Sequence, residues 1–196
     1  MGCIAKLRRH RGDNDRGAIL IEAAFVTPVF VLILFSIIEF GIGFADRLAA
    51  EDMSLTTARI GSASGNEPLA DFSIVTHVKN SKLTTGKVEL VVVYKTNSPT
   101  KAVPASCLVA SQTDLCNRYT PNDFAQPESK FGCGFTAIDT AWCPTTRKTA
   151  LTGANGPPDY IGVFVRVSHP TVTTFFGRSW TFEFDTVIRV EPRSET

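Results

Sequence analysis

With 196 residues, 43% of them hydrophobic and 20% charged, the chain has room for one membrane anchor and one globular domain, and no more. Its 20 basic and 19 acidic side chains give a net charge of +1, so the basic excess on which nucleic-acid binding depends is missing and that class is set aside. Enzymatic activity is not expected either. The histidines His10, His77 and His169 stand apart, and there is no phosphate-cradling glycine loop with lysine and no H-E-x-x-H. Nothing in the spacing of Asp139, Asp159 and Asp185 requires them to act as a carboxylate pair. No cofactor is implied.

In chain order, residues 1–17 carry Lys6, Arg8, Arg9, Arg11 and Arg16 against Asp13 and Asp15. From Ala18 to Phe44 the only ionisable side chains are Glu22 and Glu39, with a non-ionic run from Ala23 to Ile38 between them. A hydrocarbon core about 30 Å thick takes roughly 20 apolar residues as helix, so this run is long enough to span. It exceeds the apolar core of roughly 7–15 residues in a cleaved secretory signal. Lipid offers no partner to backbone N–H and C=O groups, which makes the span helical, with a kink or loosened turn expected at Pro28. The far flank, Asp46 to Asp52, has one arginine and three acids, so the basic end faces the cytoplasm. The expected location is a single-pass inner-membrane protein with its C-terminal domain outside the cytoplasm.

Glu22 is the residue that needs explaining. An ionisable group at mid-membrane costs on the order of 2.5–3.5 kcal/mol, which marks it as functional unless it snorkels to the nearby interface. The other reading starts from the spacing Gly17, four residues, Glu22. A cut after Gly17 would make Ala18 a free ammonium within about one turn of that carboxylate. Glu22 would then pair with its own amine or with a neighbour's. Small Gly17 and Ala18 suit a protease that must hold the scissile backbone extended and close.

The basic leader, the Gly17-Ala18 junction, Glu22 at the fifth mature position and the immediate apolar helix resemble a type IV prepilin signal. Within that class, Arg16-Gly17, then Ile21-Glu22-Ala23-Ala24-Phe25-Val26-Thr27-Pro28-Val29-Phe30, then Ile38-Glu39-Phe40-Gly41 resemble the TadE-like pseudopilins of Tad (Flp) pilus systems. The resemblance covers the first fifth to quarter of the chain and implies a pseudopilin or minor pilin, taking part in initiation or at the tip of the pilus. It implies residues 1–17 as a leader removed by a prepilin peptidase, and 18–62 as a helix that spans the membrane to about residue 44. Residues 66–196 form the extracytoplasmic β-rich domain. Implied partners are the membrane, the peptidase, other pilins or a TadF-like pseudopilin, and the inner-membrane platform with its assembly ATPase. Glu22 is the implied assembly residue, with Glu39 placed to pair between helices or with the platform. The alternative is an uncleaved, signal-anchored binding protein, which needs neither Glu22 nor the cut. Loss of residues 1–17 removes five basic and two acidic side chains, leaving 15 against 17 and a net charge of −2.

Beyond Phe44 the sequence stays helix-compatible to Arg59, with Phe44, Leu48, Leu55 and Ala58 near one face. Gly61-Ser62-Ala63-Ser64-Gly65 is expected to end the helix in a flexible joint. Phe72–Lys79 and Lys87–Lys95 read as a hairpin pair, the second rich in β-branched residues. Ser98 to Pro158 is rich in Pro, Thr, Gly and Cys and reads as a stapled loop with a short helix around Ala105–Leu115. Cys107, Cys116, Cys133 and Cys143 all follow the anchor, which points to two disulfides with three possible connectivities. Short loops favour Cys107–Cys116 with Cys133–Cys143, and the spacings fit zinc poorly. Ile161, Val163, Val165 and Val167 line one face of a strand, and Trp180, Phe182 and Phe184 alternate with Thr181, Glu183 and Asp185 in another. Thr171–Phe176 reads as a turn or short helix between them. The expected fold is α+β and pilin-like: a long N-terminal helix packed on a mainly antiparallel sheet of about four strands.

Overall fold

The computed structural model describes residues 14–149, 157–173 and 177–191. The leader's basic residues Lys6 to Arg11, together with Cys3, lie outside the described residues, as does Phe176 at the end of the expected turn. The chain divides into two compact units, Met1–Gly41 and Ile42–Thr196. A helix α1, Asn14–Ser64, begins in the first and continues into the second, running through Pro28. The second unit adds α2 (Ala70–Asn80), β1 (Lys87–Thr96), α3 (Ala105–Val109), β2 (Cys116–Tyr119), β3 (Tyr160–Pro170) and β4 (Ser179–Arg189). The four strands form one antiparallel sheet in the order β2-β1-β3-β4.

This is the α+β arrangement expected, with a different fourth strand. Phe72–Lys79 lies within α2. It reads as the first half of a hairpin, but Ala70, Asp71, Ile74, Val75 and Val78 are the buried positions, a helical period. The missing strand is β2, inside the cysteine-rich stretch, where Val91 to Tyr94 of β1 pair with Tyr119 to Cys116. The helix ends within the expected Gly61–Gly65 stretch. α1 continues through Gly61, and Gly65 takes a left-handed φ of 56° while its N–H donates to the Gly61 carbonyl.

The sheet is covered on both faces. On one, Val91, Val93, Ile161, Val163, Val165 and Val167 meet Ala50, Met53 and Ala58 of α1 and Ile74, Val75 and Val78 of α2. On the other, Leu90, Val92, Tyr94 and Phe164 are capped by the Cys107–Cys116 disulfide. Tyr94 lies opposite Gly162 in the β1–β3 register, and its ring fills the space that a Gly162 side chain would need. Its hydroxyl donates to Asp185 Oδ1 at 2.6 Å, and Asp185 Oδ2 accepts the Val103 N–H at 2.7 Å, which fixes the 97–103 connection on this face. Burial pushes the Tyr94 hydroxyl up, and the neighbouring Asp185 carboxylate pushes it further. Gly162→Val forces that ring out of its place, so a loss of about 1–3 kcal/mol is expected, read as a lower melting temperature of the detergent-solubilised chain.

The helix face that packs on the sheet is not the bulky one. Asp46, Ala50, Ser54, Ala58 and Ser62 follow one another at intervals of four, and all five are buried. Such small residues let the helix axis come close. Gly43 has the Trp180 ring against its Cα, and a Cβ at Gly61 would meet Ile161 Cδ1 at 2.8 Å. Polar stitches accompany the row: Ser54 Oγ bonds Thr186 Oγ1 at 2.9 Å, and Ser62 Oγ donates to the Arg189 carbonyl at 2.6 Å. Phe44, Leu48 and Leu55, expected against the sheet, are 57, 65 and 40% exposed; of that set only Ala58 packs inward.

Candidate assembly site and its supports

The junction and its carboxylate lie in the first unit. Gly17, Ala18 and Glu22 are all helical and exposed, and Glu22 falls one turn after Ala18. Apart from its own helical backbone, nothing among the described residues lies within 4 Å of where a Gly17 side chain would begin, so their packing gives no reason for glycine there. Glycine inside a helix costs about 1 kcal/mol relative to alanine. Gly41, the other described glycine of this unit, is equally open. Around them Ile19, Phe25, Phe30, Ile37 and their apolar neighbours are exposed, and α1 is long and apolar enough to cross a membrane. Glu39, the second acid of the run, is 1% exposed. Of the two carboxylates, Glu22 is the one presented outward.

The second unit holds three buried polar clusters that set its shape. In the first, Asp46 is fully buried and accepts the backbone N–H groups of Thr84, Thr85 and Gly86, the last at 2.6 Å. The same Oδ2 lies 2.7 Å from His169 Nδ1, whose ring stacks on Trp180 with centroids 5.6 Å apart. Burial by itself would raise the Asp46 pKa, but the hydrogen bonds from His169 and the three amides outweigh it and hold the carboxyl below its ordinary range. This clasp ties α1 to the α2–β1 loop and to the end of β3. Its sequence signal was an acid just past the apolar run, which reads equally well as an exposed flank charge.

The second cluster orders the cysteine-rich stretch. Asp71 of α2 receives the Arg147 guanidinium on one oxygen; on the other it accepts Asn117 Nδ2 at 2.8 Å and the Tyr119 hydroxyl at 2.7 Å. Asn117 also bonds both backbone groups of Trp142, and Arg147 stacks on the Trp142 ring at 4.4 Å. Burial raises the Tyr119 pKa well above its ordinary value, and the Asp71 charge adds to it. In the third cluster Asp139 accepts the N–H groups of Gly132 and Cys133, both at positive φ, which seats the Cys133–Cys143 disulfide. The connectivity is thus the short-loop one, Cys107–Cys116 with Cys133–Cys143. Asp139, Asp159 and Asp185 serve separate loops: Asp159 pairs with Lys95 at 3.6 Å and accepts the Lys148 N–H.

Comparison with known proteins places the likeness where the junction is. Residues 17–59 match the family model described as TadE-like protein. No curated protein and no solved structure matches the chain. The matched segment contains Gly17, Ala18, Glu22 and Glu39, together with the small-residue row from Asp46 to Ala58.

Proposed function

We propose, from the TadE-like character of residues 17–59, that this chain is a pseudopilin or minor pilin of a Tad/Flp type IV pilus, with no catalytic activity of its own. A membrane prepilin peptidase removes residues 1–17. The helix from Ala18 then waits in the inner membrane, with the C-terminal domain outside the cytoplasm, until it joins an initiating or tip complex. Partners in that reading are other pilins or a TadF-like pseudopilin, the inner-membrane platform and its ATPase.

The observation that carries the reading is the pairing of an exposed, unpacked Gly17 with an exposed Glu22 on one helix. Cleavage would make Ala18 the start of the helix, bringing together an ammonium, unsatisfied N–H groups and the positive end of the helix dipole. A carboxylate one turn in offsets all three, and in lipid it gives a neighbouring helix's amino terminus a polar partner. Because the bond lies in helix, the peptidase must first unwind that turn, which glycine eases. The outward Phe44, Leu48 and Leu55 supply apolar surface for a neighbouring helix beyond the bilayer.

Intact-mass measurement on membrane-extracted protein tests the cut: a mature chain beginning at Ala18 is expected wherever the peptidase is present. A chain still beginning at Met1 there rejects the proposal and leaves an uncleaved, signal-anchored binding protein. Glu22→Ala is expected to abolish pilus assembly, counted by electron microscopy, while the mature mass still forms. Unchanged piliation would favour the same rival.

A further inference from the structure

We infer that the groove between the α2–β1 loop and the turn after β2 binds the headgroup of an anionic phospholipid. The inference rests on the membrane anchor proposed above. The groove measures about 560 Å³. Lys79, Lys82 and Lys87 rim it, and Val78, Leu83 and Phe124 contribute apolar surface. All three lysines are exposed, and none forms an ion pair among the described residues. Lys79 also sits in the last turn of α2, where it offsets the negative end of the helix.

None of the described residues that line the groove is a carboxylate. Asp46, behind the loop, is buried and occupied by three amides and His169. Asp123, next to Phe124, accepts both the N–H and the hydroxyl of Thr120 at 2.7 Å. Glu89 is exposed on β1 but does not line the groove.

Position within the second unit selects the ligand. The loop that carries Lys82 is bonded through Thr84, Thr85 and Gly86 to Asp46, and Asp46 is only two residues past Phe44, the last residue of the apolar run. The rim therefore stands at the end of the domain where the chain leaves lipid. Ammonium groups there meet phosphate oxygens, and the apolar floor accepts the glycerol and upper acyl carbons. A free inorganic anion would engage the lysines and leave that floor unused. Near an anionic surface each lysine strengthens binding about fivefold.

The test uses the full chain reconstituted in vesicles, of phosphatidylcholine alone or with about one third phosphatidylglycerol. Amide hydrogen exchange is followed over residues 79–88. Exchange at least tenfold slower in the phosphatidylglycerol vesicles is expected, and Lys79→Ser/Lys82→Ser/Lys87→Ser should lose that difference while β3 stays as protected as in the wild type. Equal exchange in both vesicles, or a triple variant that keeps the difference, overturns the inference. Inorganic phosphate that reproduces the protection in phosphatidylcholine vesicles overturns it in favour of a soluble-anion site. A chain that alkaline carbonate washes off the vesicles overturns the anchor itself, a failure distinct from the others.

Discussion

Asp46→Ala should be among the most damaging single changes in the second unit, at about 3–5 kcal/mol. The carboxylate is fully buried, and its removal leaves three amide donors and the buried His169 without their acceptor. Trp180 stacks on that imidazole, so its fluorescence reports the loss during thermal unfolding in detergent. Asp46→Asn keeps one acceptor oxygen and should fall between alanine and wild type. Acid gives a second signature. The folded carboxyl titrates below its ordinary value of 3.8, so its contribution is fully present above that value and drains away as pH falls through the depressed folded pKa. The wild type should therefore lose stability steeply below about pH 4, and Asp46→Asn should show a shallower acid limb. Parallel limbs would mean that the clasp contributes nothing to acid stability.

Arg147→Met should destabilise the domain by a similar about 3–5 kcal/mol, for a different reason. Arg147 and Asp71 are both fully buried as side chains, so deleting the cation strands a carboxylate that retains only neutral donors, Asn117 and Tyr119. Among the described residues, two guanidinium nitrogens, Nε and Nη1, have no hydrogen-bond partner. Replacing both charges, as Asp71→Asn/Arg147→Met, should consequently recover a good part of the single variant's loss. Urea unfolding of the four members of this cycle measures the coupling. A double variant no better than Arg147→Met would show that stacking on Trp142, and not charge pairing, is what Arg147 provides.

Much of this architecture was legible in advance because it follows from periodicity. Twenty-seven residues with two acids are long and apolar enough to cross a membrane as a helix, and the structure makes them one. The alternation through Ile161–Val167 and Trp180–Phe184 sets which strand face turns inward. What escaped was packing decided by small side chains. A search for large apolar residues picked Phe44, Leu48 and Leu55, while the buried row consists of Ala, Ser and one Asp, residues that carry almost no hydrophobic signal. β2 was hidden for a related reason. Cys116-Asn117-Arg118-Tyr119 has no apolar alternation, and its strand character depends on β1 beside it and on Asn117 holding the Trp142 backbone. The spacing of Gly17 and Glu22 is plain in the sequence, but that Glu22 faces outward while Glu39 is buried is a property of the folded chain.

The stitches at Asp46, Ser54 and Ser62 act together as a setting of azimuth. A helix can roll about its own axis cheaply when it is held by grease alone, but directional bonds at three positions between Asp46 and Ser62 leave one permitted rotation. Whatever docks on Phe44, Leu48 and Leu55 meets them at an angle dictated by the domain's own clasp. One residue inserted between Gly43 and Asp46 would swing every earlier side chain by about 100° about the helix axis and carry Gly43 off the Trp180 ring.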